Sequence, residues 1–371
     1  MTDIPVLTVN GQNYSGWTAV SWGRGLDRCV SDFDLEVTER WPDSTRPILP
    51  LAPATISVGG EQVFAGYVDS YLPSLQADEH SVRITGRGKT QDLVDCSPNV
   101  AAGQFSGYTV AAVARALCQM FGIGCDVQTD LANVVIPDVT IQPAESAFNF
   151  LDRLCVVAGV IAIDDANGNL LLVTAGTTKS STVLMQGVNL KAVSAEITST
   201  DRFSEYIVKG QAGLSAQLGA SGQTTPAGAQ VQTAQVASVT DSSVTRFRPK
   251  VFMAESATGQ ASLLTQAQWH LNYALGRSTK ATATVVGWRQ DDGTFWAPNL
   301  MVTIIAPVIG VNEDLLIYSV LFRLTANGGH ETVLTLTPVQ AAQPNPRELR
   351  QKKGKKGRKG SGIDWTGAGG F

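Results

Sequence analysis

The chain has 371 residues, of which 43% are hydrophobic and only 16% charged, so it is globular, with an ample core and room for two to four domains. It holds 28 Lys+Arg and 32 Asp+Glu; residues 347–371 take eight of the basic and two of the acidic ones, leaving 20 basic against 30 acidic. A body of about −10 with a tail of about +6 excludes a folded body that grips nucleic acid along a basic stripe.

The opening "MTDIPVLTVNGQ" has neither a basic n-region nor an apolar h-region, and so does not read as a signal peptide. Residues 1–95 read as β. "GWTAVSW", "DFDLEVTE", "ATISVGG", "QVFAGYVDSYL" and "HSVRITGRG" are short alternating or β-branched runs between turn residues. In "SVRITG", Val82 and Ile84 face one way and Arg83 and Thr85 the other, as in a half-buried antiparallel strand. The whole stretch is expected to be a first β-barrel.

Residues 96–177 change to a small α+β domain. "TVAAVARALCQMFG" puts Val110, Val113, Ala114, Leu117 and Phe121 on one helical stripe, with Thr109 as N-cap and Gly122 as stop. "PAESAFNFLDRLCVVAG" repeats the device with Phe148, Leu151, Leu154, Cys155 and Ala158, ended by Gly159. Each helix runs through glycine into a strand. The second strand continues as a hairpin whose Asn167-Gly168 fits a tight turn. The longest apolar run, 154–163, is too short to span a bilayer, so no stable membrane insertion is expected.

Residues 178–257 and 278–342 are expected to form a second β-barrel, with a helix over 258–277 whose face is Leu264, Ala267, Leu271 and Ala274. The stretch 210–240 has no charged residue and no aromatic, and reads as a long polar surface loop or an arm lying on a neighbour. Residues 343–371 read as a disordered basic tail, because Gly354, Gly357, Gly360 and Gly362 stop any helix. Residues 53–88 and 299–338 share one order of strand, turn, strand, polar loop, His, strand. In that comparison Ile56 matches Val302 or Ile304, Tyr67 lies near Tyr318, and His80 matches His330. A weak self-match of this kind fits either a duplicated barrel or two unrelated β-meanders. The fold class is therefore β-rich α+β, with two similar antiparallel barrels and the α+β domain between them.

The chain offers no catalytic or metal constellation, so catalytic, cofactor and metal residues are none. His occurs only at 80, 270 and 330, without zinc spacing. "GRGKT" (86–90) lacks the earlier glycine of a phosphate loop, since Arg83 stands there. Asp164/Asp165 and Asp291/Asp292 are sequence neighbours in "DDANG" and "DDG", which are turn signatures rather than opposed carboxylates. Cys29, Cys96, Cys118, Cys125 and Cys155 form no CxxC pair, and read as buried thiols of a protein folded in a reducing cytosol.

The blocks "GWTAVSWGRGLD", "FAGYVDS", "GRGKTQDLVDC", "DRFSEYIVKG", "SSVTRFRP" and "GWRQDDGTFWAPNLMVTI" resemble the baseplate hub proteins of bacteriophage Mu and Mu-like prophages, from about residue 10 to about 340. The resemblance implies a structural protein of the virion tail baseplate, assembled in the host cytoplasm. It implies a homotrimer whose two barrels per chain make a ring of six. Its implied partners are the central spike and the tail tube or tube-initiator proteins, with DNA passing through a channel without sequence-specific binding; for the basic tail the spike, the tape-measure protein and packaged DNA are open alternatives. Trp22, Tyr67, Phe203, Tyr206, Trp288 and Trp296 lie in the matching blocks, and are either interface anchors or plain core. Two rivals come from other classes: a peptidoglycan-degrading tail enzyme, and a DNA-binding protein acting through the basic tail.

Overall fold

The computed structural model describes residues 3–38, 48–75, 80–99, 103–136, 138–176, 178–210, 235–254, 260–325 and 329–344. The arm residues 211–234 and the tail from 345 lie outside them.

Seven strands open the chain: β1 (Pro5–Val9), β2 (Gln12–Tyr14), β3 (Ala19–Gly25), β4 (Asp32–Thr38), β5 (Pro53–Val58), β6 (Glu61–Leu75) and β7 (His80–Gly88). A short helix, α1 (Gln91–Asp95), leads into the α+β unit of β8 (Gln104–Phe105), α2 (Val110–Met120), β9 (Cys125–Val127), β10 (Val139–Thr140), α3 (Ala147–Ala158), β11 (Ile161–Asp164) and β12 (Leu170–Val173). Then come β13 (Thr178–Lys179), β14 (Leu184–Met185), β15 (Leu190–Ile197), β16 (Glu205–Lys209), β17 (Val236–Thr240) and β18 (Pro249–Met253). Helix α4 (Gln260–Arg277) precedes β19 (Thr279–Val286), β20 (Leu300–Ala306), β21 (Val311–Thr325) and β22 (Gly329–Thr337).

The strands of both halves make one 14-stranded sheet in the order β15-β19-β22-β21-β3-β4-β7-β6-β5-β1-β2, with β20 beside β21 and β13 and β14 beside β20. This corrects the expectation of two separate closed barrels. The halves are joined where β3 pairs with β21 from Ala19↔Thr325 to Gly25↔Ser319, and the sheet does not close on itself among the described residues. One core runs under both halves, from Leu7, Trp22, Ile56 and Ile84 to Trp288, Ile304, Phe322 and Leu336.

The duplication is nevertheless visible in the ladder. β6 and β21 each have 15 residues, and β7 and β22 each have nine. Each long strand carries a bulge: at Asp69 between Val68 and Ser70, and at Tyr318 between Ile317 and Ser319. Beyond the bulges Ser70 faces Thr85 and Leu75 faces His80, as Ser319 faces Thr335 and Leu324 faces His330. Bulges re-aim a strand; here they let β6 and β21 pair with one neighbour early and another late. The register matches Ile56 with Ile304, and sets Tyr318 against Asp69 rather than Tyr67. It also extends the repeat to two further strands. Trp22↔Phe33 and Phe33↔Gly86 in the first half correspond to Ala195↔Ala281 and Ala281↔Leu336 in the second. Thus β3-β4-β7-β6 and β15-β19-β22-β21 are the same four-strand arrangement.

Strands β16–β18 depart from the expected second barrel. They pair with one another as a separate three-stranded sheet, and α4 packs Leu263 and Ala267 against Val208 and Ala237. Leu263, not Leu264, belongs to the buried face: it continues at Ala267, Leu271 and Ala274, while Leu264 is exposed. In the α+β unit Thr109 Oγ1 accepts from the Ala112 amide at 3.1 Å and Ser146 Oγ from Asn149 at 3.2 Å, capping α2 and α3. Gly159 ends α3 in the left-handed region, at φ 71°. Phe150, which the sequence stripe omitted, is fully buried, and Phe148 lies at the edge of the core.

Trp22 stacks on Phe322 at 4.7 Å and meets Trp288 edge-on at 4.9 Å, across the join of the two halves. Trp22→Ala is expected to cost about 3–5 kcal/mol, read as a lower denaturant midpoint; an unchanged midpoint would mean that this join does not limit stability.

Candidate functional site

The residues searched for chemistry are scattered. His330 packs its ring 4.2 Å from Trp288, and His270 stacks 3.7 Å from Phe252, where burial pulls its pKa down. His80 stands at the start of β7. Among the described residues no three His, Cys, Asp or Glu side chains gather as a metal group would need. Burial pushes the thiols of Cys29 and Cys155 up; a hydrogen bond with Cys125, then burial, does the same to Cys118. Cys96 departs from the expected buried thiols and is exposed. Asp291 and Asp292 sit in a turn in which Asp292 Oδ1 accepts from the Thr294 amide at 2.9 Å. Asp165 likewise accepts from the Asn167 and Asn169 amides, both at 2.8 Å.

Asp164 behaves differently from its turn-forming neighbour. It is buried at the end of β11, where its Oδ2 accepts from the Ser31 amide at 2.7 Å. That bond ties the α+β unit to the loop between β3 and β4. Gln62 Nε2 adds a bond to Asn167 Oδ1 at 2.9 Å. On the other side Asn299 accepts from the Gly176 amide and donates to the Thr174 carbonyl, both at 2.9 Å. The α+β unit is therefore held by both halves of the sheet. Gly88 of "GRGKT" has its role here: a Cβ would lie 2.7 Å from Ser31 Oγ and 2.9 Å from Asp164 Oδ2, so a side chain there would have to push these two groups aside. Thr90 is buried before α1 and not free to meet a phosphate.

Beside this dock a cavity of about 320 Å3 opens between the α+β unit and the sheet. Leu26, Phe148, Val156 and Tyr318 line it, with Asp27 and Asp152. Of the six aromatics singled out, Trp22, Tyr206, Trp288 and Trp296 are core. Tyr67 is half-buried, and Phe203 lies under Arg248 and Lys250, 5.0 and 5.3 Å from its ring centre.

The arrangement's chief resource is its strand edges. β15 has β19 on one side and, on the other, an isolated bridge from Gln186 at Leu190. The late half of β6, Ser70–Leu75, pairs with β7 alone among the described strands. Leu72, Leu75 and Ile197, on these two edges, are exposed. Open edges with apolar side chains suit pairing with another chain. Among the described residues no helix is long and apolar enough to cross a membrane.

Three family models match in chain order: the Mu phage baseplate assembly protein GpP-like N-terminal domain over residues 5–88, the baseplate hub protein gp44-like second domain over 90–174, and the GpP fourth domain over 259–345. The baseplate hub protein gp44 of Escherichia phage Mu is 30% identical over 367 residues, covering 98% of this chain and 95% of that one. The chain belongs to the baseplate hub protein family of Mu-like phages. The 43 kDa tail protein of prophage MuSo2 from Shewanella oneidensis shares the fold with a TM-score of 0.80 at 32% identity, over 92% of this chain and 99% of that one. The tail protein from Neisseria meningitidis MC58 shares it with a TM-score of 0.76 at 20% identity, over 94% and 100%. Both are tail proteins by description, and the matches span both halves of the sheet and the α+β unit between them.

The dock holds the α+β unit of this hub protein against both halves of the sheet. Burial pushes the Asp164 carboxyl up to about 6, against the hydrogen bonds from Ser31 and the charge of Arg24. An unfolded Asp titrates near 4. The native state therefore binds the proton more tightly, and stability from this group rises as pH falls from above 6 towards 4. Asp164→Asn is expected to flatten that rise, which between pH 7.5 and 5 amounts to about 1–1.5 kcal/mol. Urea midpoints of both proteins at pH 5 and 7.5 measure it; equal pH slopes would contradict it.

Proposed function

We propose that this baseplate hub protein acts as a structural homotrimeric ring, joining a threefold central spike to a sixfold tail tube and leaving a channel for DNA. The observation that carries the reading is the register-matched repeat of four strands. Each chain supplies two equivalent units, so three chains supply six quasi-equivalent positions around one axis. A spike can then meet three chains while tube or tube-initiator proteins meet six units.

In this reading the protein resides in the virion tail, after assembly in the host cytoplasm. Its partners are further copies of itself, the spike, the first tube ring and the tape-measure protein. DNA passes without being read. The acidic body, about −10 without residues 347–371, favours sliding over adhesion if it lines the channel. Heterologous contacts of one kind, repeated by rotation, close such a ring. The protein works by shape and assembly rather than catalysis.

Light scattering on the purified full chain is expected to give three times 39.3 kDa. A stable monomer at high concentration would remove the ring. Among the described residues, the cavity lined by Asp27 and Asp152 is a place that favours the rival cell-wall enzyme, since two carboxylates line an open cleft there. Zymography on peptidoglycan is expected to give no cleared zone; clearing that disappears in Asp152→Asn would favour the enzyme.

A further inference from the structure

Four of the five cysteines, Cys29, Cys118, Cys125 and Cys155, lie in or against the core of the α+β unit. Two of them are brought together by the backbone itself. Helix α2 ends just past Cys118, whose carbonyl accepts from the Phe121 amide at 3.1 Å and from the Ile123 amide at 2.9 Å. Gly122 sits in the left-handed region at φ 66° and completes a helix-ending turn that leads into β9. Strand β9 packs against α2. It is fixed there by parallel pairing with β12, Leu170 opposite Cys125, and by the Leu170 amide on the Gly124 carbonyl at 2.8 Å. Side chains alternate along β9: Asp126 is exposed, while Cys125 and Val127 pack against the core. The Cys125 thiol therefore rests against the Cys118 thiol, and the two share a hydrogen bond.

The two thiols are not alike. Cys118 is buried and Cys125 is half-buried. The hydrogen bond from Cys118 pulls the Cys125 pKa down; burial opposes it, the charge of Arg115 one helical turn before Cys118 adds to it, and Asp126 opposes it. Asp126 is itself engaged, accepting from the Val127 amide at 2.9 Å and from Gln128 Nε2 at 3.0 Å. A partly exposed thiol near a cation, with a second thiol beside it, has the parts of an attacking cysteine and its resolving partner. Cys29 and Cys155 are buried, and burial pushes their pKa values up, which makes them inert by comparison.

We infer that Cys118 and Cys125 form a site of reversible oxidation, closing a disulfide that staples β9 to the end of α2. The co-reactant is a low-molecular-weight disulfide. The Cys125 thiolate attacks one of its sulfurs, and the other sulfur leaves as a thiolate with the electron pair of the broken bond. The Cys118 sulfur gives up its proton, attacks the Cys125 sulfur and expels the second small thiolate. Two protein thiols are oxidised, one small disulfide is reduced to two thiols, and these carry away both protons. From the reading above this takes only the passage from host cytoplasm to virion: a chain that folds reduced meets such oxidants after it leaves. The staple then falls where it has most to hold. β9 has three residues and pairs with β12 alone among the described strands, and short strands at an edge are where local opening starts.

The test uses the full chain with Cys96→Ser, which removes the exposed thiol. It is incubated folded with excess oxidised glutathione, quenched by alkylation and cut with chymotrypsin, which cleaves after Phe121 between the two cysteines. The expected result is the loss of two thiols with no glutathione retained, and mass spectrometry showing the Cys118 and Cys125 peptides joined. Adding Cys118→Ala is expected to stop the reaction at a stable glutathione adduct on Cys125. Adding Cys125→Ser is expected to leave every remaining thiol free. Oxidation is expected to raise the urea midpoint of the Cys96→Ser protein and not that of the Cys125→Ser variant; an unchanged midpoint would overturn the staple. Both thiols retained, a lasting adduct on Cys125 with Cys118 free, or a link between any other pair would overturn the site. The peptide map of the Cys96→Ser protein decides this even if a further variant fails to fold, as circular dichroism would show. No outcome depends on the number of chains in the assembly, so the ring reading stands or falls separately.

Discussion

The pairing of β3 with β21 is the constraint on which the rest of the molecule depends. It brings residues 19–25 against residues 319–325, almost a whole chain length apart. Such a long-range contact must offset a large loop-closure cost. Trp22, Phe322 and Trp288 supply the burial that does so, and the Trp288 Nε1 proton is shared between the Arg323 and Glu331 carbonyls at 3.0 and 3.1 Å. With that join made, strands from both ends of the chain share one core. Without it there would be two small sheets with two more open edges between them.

The α+β unit takes its position from this join. It leaves the first half at α1 and re-enters the second half at β13, and polar contacts hold it to both. Asp164 with Ser31 and Gln62 with Asn167 face the first half; Asn299 with Thr174 and Gly176 faces the second. A patch of Leu26, Ile163, Val173 and Leu316 packs between them. Burying an ionised carboxylate is costly unless it is hydrogen-bonded. Asp164 is bonded through one oxygen only, the other having no partner among the described residues. Burial is the physical origin of its raised pKa, and the bonds from Ser31 offset it only in part. It marks the dock as a place where geometry took precedence over local stability.

Much of this was legible in the residues. The two helices, their Thr109 cap and Gly159 stop, the Asn167-Gly168 turn and the hub-family resemblance follow from local chemistry and from blocks of sequence in order. The hairpin repeat could be glimpsed through His80 and His330, but not its extent. Residues 198–278 separate β15 from β19, whereas only residues 26–31 separate their counterparts β3 and β4. Alignment by eye stops at such an insertion, so the first strand of the second unit went unmatched. The same insertion carries β16–β18 and α4, which read as barrel strands because a strand's pattern does not say which sheet it joins. Asp164 was hidden too: a carboxylate beside a turn reads as a turn residue, and only the approach of Ser31 from 133 positions away gives it another role.

The sequence by itself determined the elements, the acidic body with its basic tail, and the family, because these depend on local periodicity, composition and the order of short blocks. The tertiary structure decided that the two halves form one open sheet rather than two closed barrels. It also decided which edges stay unpaired and which buried groups are left half-satisfied. Strand partners are chosen by backbone hydrogen bonds that any residue but proline can make, so pairing leaves little trace in side-chain identity. It is settled only when distant segments compete for the same edge and the burial of Trp22 against Phe322 selects one arrangement.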